Sequence, residues 1–223
     1  MARGDGEGEG RKLHRLPPGR HGLSREFVTR NQQERLIAGS VAAVAEKGFR
    51  DATVTDVSAA AGVSRRTFYA YFQTKEECFL ATFELLEEHL LAAVAEAAAS
   101  RPSWTAEVRA RVAALLDLLK ENPDLVRFAV VAPPAAGGAV MERNRRLLER
   151  LVEALVADAP EGRGYSQPTE VERHAIEGAL AAVLADKVSD GEQRLAEAAP
   201  ELVELVLVPF VGRRRAATAA AKA

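Results

Sequence analysis

Between Asn31 and Lys47 the apolar residues stand at Leu36, Ile37, Val41, Val44 and Ala45, a spacing that places them on one face of a helix. Gly48 follows, suited to a left-handed C-terminal cap, and Phe49 is placed to fold back on the last turn. A second, short helix is expected after Thr53. Thr53 and Asp56 have the spacing of a capping box, with Asp in place of the usual Glu. Val57 and Ala60 would face inward and Gly62 would end the helix. Ser64 is placed to cap a third helix reaching about Phe72, and Thr74 with Glu77 opens a long helix to about Ala99.

The same period continues to the end of the chain, with clear breaks. Pro102 precedes a helix over about Thr105 to Lys120, whose apolar face carries Val108, Val112, Leu115, Leu116 and Leu119. Asn122-Pro123 interrupts it, a short apolar helix runs to Val131, and Pro133-Pro134 with Gly137-Gly138 make the next connection. An amphipathic helix is expected over Met141 to Ala157, a loop over 158–168, and helices over about Thr169–Val188 and Pro200–Val211. No useful strand alternation or internal repeat interrupts this pattern. The expected fold is all-α, a three-helix unit on a larger helical bundle.

Composition agrees. With 48% apolar but only 5% aromatic residues, the core must be built from Ala, Leu and Val, which suits close-packed helices. The single cysteine, Cys78, excludes an internal disulfide framework and a thiolate metal cluster, and reads as a small core residue. A reducing cytoplasm is the expected setting. The longest apolar stretch, Leu202 to Val211, is broken by Glu204 and too short to span a bilayer, and residues 1–10 have no apolar core of a secretory signal.

Charge divides the chain more sharply than hydropathy does. Residues 11–75 hold 12 basic and 5 acidic side chains, a local charge of +7. The remaining residues hold 18 and 27, a charge of −9. A basic N-terminal third on an acidic body suggests a polyanion-binding module joined to something else. Three regions are expected: a flexible basic arm over 1–29, a helix-turn-helix unit over 30–75, and a helical bundle over 76–223.

The informative stretch is Thr53 to Lys75. A short helix, a tight turn at Ala61-Gly62-Val63 and a second short helix form the helix-turn-helix pattern. Ala59 and Ala60 are small enough for close crossing, and Gly62 permits a turn that a Cβ would oppose. Val57, Val63 and Phe68 would pin the pair to Leu36, Val41 and Val44. Arg65, Arg66, Thr67, Tyr69 and Tyr71 would then face outward on a helix that fits the major groove, where arginine bonds guanine bidentately. Tyr69 and Tyr71 also fit half-buried packing positions, and Thr53 and Thr74 fit simple caps.

This segment closely resembles the DNA-binding domain of the tetracycline-repressor (TetR) family. The matching residues are Glu46-Lys47-Gly48-Phe49, Thr53-Val54 with Val57, Ala61-Gly62-Val63-Ser64, Thr67-Phe68-Tyr69 with Tyr71-Phe72, and Lys75-Glu76-Glu77. The resemblance covers residues 31–80. It implies that Thr53 and Lys75 hold phosphates, that Arg65, Arg66, Thr67 and Tyr69 meet the groove, that Tyr71 lies against the DNA backbone, and that Ser64 belongs to the same DNA-binding set. It further implies an all-α protein whose C-terminal bundle binds a small-molecule effector and dimerises, and so a DNA-binding regulator rather than an enzyme. Its partners would be an operator duplex, a second copy and an unidentified effector, without metal, cofactor or membrane.

The last two long helices are where the dimer interface is expected. Leu202, Leu205, Val206 and Phe210 lie on an almost wholly apolar helix, which asks for cover on both sides, from a second copy or, on the alternative reading, as the buried centre of a single chain. Ile176, Leu180, Val183 and Leu184 on the preceding helix would complete a four-helix interface. Trp104 and Phe128 are candidates to line an effector pocket or to pack in the core. His14, His21, His89 and His174 are scattered, and no metal, nucleophile or phosphate-loop motif is present. The rival reading is a helical enzyme or carrier with a vestigial DNA-binding unit. Another use for the basic arm, through Arg11, Lys12, Arg15, Arg20 and Arg25, is contact with DNA beside the recognition helix.

Overall fold

In this computed structural model, residues 25–99, 101–131, 138–189, 194–195 and 197–223 are described, and every described element is helical. The chain runs through α1 (Arg25–Asp51), α2 (Val54–Ala61), α3 (Arg65–Tyr71), α4 (Lys75–Ala97), α5 (Trp104–Glu121) and α6 (Pro123–Val126). A π-helical turn (Arg127–Val131) follows, then α7 (Gly138–Leu155), α8 (Glu170–Ser189), α9 (Ala199–Val211) and α10 (Arg213–Ala220).

Helix α1 begins at Arg25, inside the segment expected to be a flexible arm. No Gly or Pro lies between Arg25 and Asn31, so nothing stops the helix from extending upstream. The arm's Arg11, Lys12, His14, Arg15, Arg20 and His21 lie outside the described residues, as do Pro133, Pro134 and Gly137. Gly48 does break α1, but at φ 75° and ψ 165° it is not a left-handed cap. That backbone region is open almost only to glycine. The break redirects Phe49 away from its own helix, edge-on to Phe79 of α4 and against Phe83 and Phe128. These four rings form the apolar joint between the first three helices and the rest of the chain.

Helix α4 is the spine. Its first turns, through Phe79, Thr82 and Phe83, meet the N-terminal unit, and the helix also packs on α5 and α7. A buried hydrogen bond of 2.6 Å between the hydroxyls of Ser40 and Thr82 fastens it to α1. Further along, Glu87 is buried on α4 and paired with Arg143 and Arg150 of α7. Such a pair is costly to break from one side, because the carboxylate would be left buried and uncompensated.

Helix α9 is the centre of the C-terminal bundle, covered by α5, α8 and α10. The last of these was not foreseen. Arg213–Ala220 carries no apolar side chain larger than alanine, yet Ala216, Ala219 and Ala220, spaced for one helix face, are buried. Cover for both sides of α9 therefore comes from the same chain. Ile176, Leu180, Leu184, Leu202, Val206 and Phe210, expected at a dimer interface, are all buried within the single chain. Of the eight, Val183 and Leu205 alone are half-buried.

Candidate nucleic-acid interface

The N-terminal unit is assembled from caps. Thr53 accepts a hydrogen bond from the Asp56 amide at 3.2 Å, and its own amide donates to Asp56 Oδ2 at 2.9 Å, so the capping box over α2 is complete. At the other end Gly62 takes φ 62° and ψ 37°, the left-handed conformation that the turn requires. Ser64 Oγ then accepts the Thr67 amide at 3.0 Å and starts α3. The Thr74 hydroxyl accepts the Glu77 amide at 3.1 Å to start α4, but Glu77 reaches back to the Gln73 amide rather than to Thr74.

The close helix crossing is not where the small residues of α2 suggested. Ala59 and Ala60 are exposed. Contact with α1 runs through Ala61 and Gly39: a Cβ on Gly39 would stand 2.7 Å from the Val57 carbonyl oxygen and 2.8 Å from the Ala61 amide nitrogen. A lone glycine in the middle of a helical pattern was the available signal. Arg35 completes the joint, its guanidinium donating to the carbonyls of Ala61 at 2.6 Å and Gly62 at 2.8 Å. Leu36, Val44, Val57 and Phe68 are buried between the three helices, and Val41 and Val63 are half-buried.

This packing leaves one face of α3 in solvent. Arg65 and Arg66 in its first turn are exposed, and among the described residues neither has an acidic partner. Tyr69 is 51% exposed, large for an aromatic ring on a folded domain. Thr67 is half-buried and within 2.9 Å of the Ser64 hydroxyl. These residues form one polar, cationic surface at the N-terminal end of a short helix, the geometry in which a helix reads base edges.

Three other candidates stand differently. Tyr71 is half-buried against the core, and its hydroxyl donates to Gln32 Oε1 of α1 at 3.0 Å, so in the free protein it fastens α3. Lys75 spends all three ammonium protons on carbonyls at the end of α1: Phe49 at 3.2 Å, Arg50 at 3.0 Å and Ala52 at 2.9 Å. It is a clasp across the Gly48 break before it is anything else. Thr53 stays exposed, but its hydroxyl is engaged with Asp56. Asp56 in turn meets Lys47 at 2.5 Å. That ammonium first, and then the hydroxyl and amide of Thr53, hold the Asp56 carboxyl at about 2, below the usual carboxylate range.

The bundle does not bring the two pocket candidates together. Phe128 belongs to the four-ring joint near α1. Trp104 packs on Tyr165 and Phe210, and its indole N–H donates to the Ala157 carbonyl at 3.0 Å. Both rings are core. An apolar cavity of about 330 Å³ lies instead between α1, α4 and the end of α5, lined by Ile37, Val41, Leu85, Leu86, Leu118 and Leu125, with exposed His89 on its wall. His174 is exposed on α8. Cys78 is fully buried, and burial pushes its thiol up to about 12, so it is inert packing. Among the described residues no group of side chains could hold a metal ion, and no helix is long and apolar enough to cross a membrane.

Residues 36–82 match the family profile of bacterial regulatory proteins, tetR family. Over 58 residues the chain is 45% identical to the HTH-type transcriptional regulator CymR of Pseudomonas putida. That match takes in 26% of this chain and 29% of CymR, so it spans well under half the length of that relative. The whole architecture has wider likenesses. The fatty acid degradation regulator FadR of Bacillus halodurans superposes with a TM-score of 0.68 at 20% identity, over 78% of this chain and 97% of that one. FadR of Bacillus subtilis, solved in complex with stearoyl-CoA, gives 0.66 at 16% identity, over 79% and 98%. At these identities the likeness is one of fold.

Proposed function

Through its helix-turn-helix domain this chain belongs to the tetR family of bacterial regulatory proteins, and from that premise we propose that it is a dimeric transcriptional regulator whose hold on an operator is released by a small molecule. The observation that carries the reading is the face of α3: Arg65, Arg66 and Tyr69 exposed together, without acidic partners, on a helix whose opposite side is locked by Phe68. Arg65 and Arg66 read base edges in the major groove, and Thr53 and Thr67 lie beside the phosphates.

One such head is not enough for a selective site. Two heads joined by a two-fold axis meet successive major grooves about 34 Å apart. With most of α9 interior, the dimer surface falls on what the monomer leaves uncovered. Val171 is 77% exposed, and Ala175, Gly178 and Ala182 follow it along the same side of α8, with half-buried Leu205 and Val208 on α9. Small residues at this spacing let two helices approach closely.

Regulation follows from α4. It is clamped to the reading head by Lys75, Phe79 and Thr82, and to α7 by Glu87. A ligand that prefers one setting of the bundle shifts the spacing of the two heads through that helix, by as much as its differential affinity allows. A stearoyl-CoA complex on a related fold supports a small-molecule effector here.

The deciding experiment is footprinting of the full chain on DNA upstream of its neighbouring genes, repeated with Arg65→Ala and Arg66→Ala. Each substitution should cost about 1–3 kcal/mol of discrimination at one base position and leave the helical circular dichroism unchanged. Wild-type operator binding by both variants removes α3 from the role of reader.

A further inference from the structure

At the end of the molecule remote from α3, the first turns of α5 and the C-terminal helix α10 flank an open cleft of about 460 Å³. The remoteness follows from the spine. Helix α4 starts in the reading head and its 23 residues span about 34 Å, and α5 starts at the far end and packs back along it. Ser103, Thr105 and Arg109 line one wall of the cleft, and Arg214, Thr218 and Lys222 line the other.

Its charge is of one sign. No acidic side chain lines it, and among the described residues none of Arg109, Arg214 and Lys222 has an ion-pair partner. What sets the cleft apart is that its cations stand together in one concavity without a carboxylate among them. Residues 76–223 carry 24 acidic and 17 basic side chains, and Arg111, Arg143, Arg145, Arg146 and Arg150 all pair with carboxylates. Where acid is in excess, three cations left without partners in one concavity make a local field that attracts anions. The wall is also held in place. Arg215 lies 4.8 Å over the Tyr165 ring and donates to the Gly164 carbonyl, which anchors α10. Arg109 donates to the Lys222 carbonyl at 3.4 Å, which ties the end of the chain to α5.

We propose that this cleft binds a small anion carrying more than one phosphate group. Two guanidinium groups suit phosphate oxygens because their N–H forks bond in pairs, and the ammonium of Lys222 adds a point charge. The hydroxyls of Ser103 and Thr105 supply neutral donors on the same wall. The volume is that of a site for a small organic molecule, well above what a single phosphate would fill. The inference stands apart from the DNA reading, since a duplex seated on α3 does not reach this end.

Trp104 adjoins the site along the chain, although its ring packs in the core beneath it. It is the chain's one tryptophan, between Ser103 and Thr105. The probe is inorganic tripolyphosphate, titrated into the full chain carrying Arg65→Ala and Arg66→Ala so that the reading head contributes no polyanion affinity. Tryptophan fluorescence and calorimetry should both give one saturable event, at least tenfold tighter than orthophosphate at matched ionic strength. Adding Arg109→Gln and Arg214→Gln should weaken it more than tenfold with the thermal midpoint unchanged. Should that variant fail to fold, Lys222→Gln on the exposed end should still weaken binding severalfold. The proposal is overturned by absence of saturable binding, by binding that ignores these substitutions, or by an equal response to sulfate. It is equally overturned if duplex DNA displaces the probe.

Discussion

Gly39 of α1 lies so close to Ala61 of α2 that a Cβ on the glycine would stand 2.9 Å from the alanine's own. Glycine inside a helix ordinarily costs about 1 kcal/mol relative to alanine, so Gly39→Ala would be stabilising on propensity alone. Here the new methyl meets backbone atoms of α2, which cannot rotate away. The substitution should lower the thermal midpoint and weaken DNA binding by displacing α2 and α3 together. A raised midpoint with unchanged binding would show that the crossing is looser than described.

Lys75 separates structure from recognition in one side chain. Its three carbonyl partners predict that Lys75→Met destabilises the protein by about 1–3 kcal/mol, the scale of hydrogen bonds to a charged group. A lysine that served only a phosphate would leave stability alone and flatten the salt dependence of DNA binding by about one ion. Denaturant unfolding beside a salt series on operator DNA distinguishes the two.

Asp56 gives the N-terminal domain an acid limit. Its carboxyl is held at about 2 in the folded chain against an ordinary 3.8, with the Lys47 ammonium as the main cause. A carboxyl depressed by folding contributes stability that is complete above its unfolded value and lost as pH falls through the folded one. The stability gap between the wild type and Asp56→Asn should therefore be constant above about pH 4 and close as the pH approaches 2. Thermal unfolding at steps across that window tests it, and a gap that does not vary with pH contradicts the pairing.

The proposed dimer face makes a prediction of opposite signs on neighbouring helices. Ala182 is exposed on α8, so Ala182→Glu should leave the protomer folded and shift it to a monomer in sedimentation at micromolar concentration. Val206 is fully buried on α9, so Val206→Glu should unfold the bundle instead. A folded dimer that survives Ala182→Glu moves the interface off α8.

What could be read from the sequence is what neighbours along the chain settle among themselves. Thr53 with Asp56, Gly62 and Ser64 each declare their helix end, because a cap is a hydrogen bond between residues three apart or a φ that only glycine takes freely. Helix period, the basic third of the chain and the outward side of α3 follow from the same short-range rules. What only the tertiary structure decided is which surface covers which. Leucines and valines of α9 look alike whether a second copy or the chain's own α10 buries them, and α10, with nothing apolar larger than alanine, does not announce that it does. Phe128 and Trp104 are both buried aromatics, yet one joins the Gly48 break to α4 and the other closes the far end of the bundle. A lysine ammonium serves a phosphate or three carbonyls equally well, and Lys75 turned to the carbonyls because the glycine break at 48 brought the end of α1 within its reach.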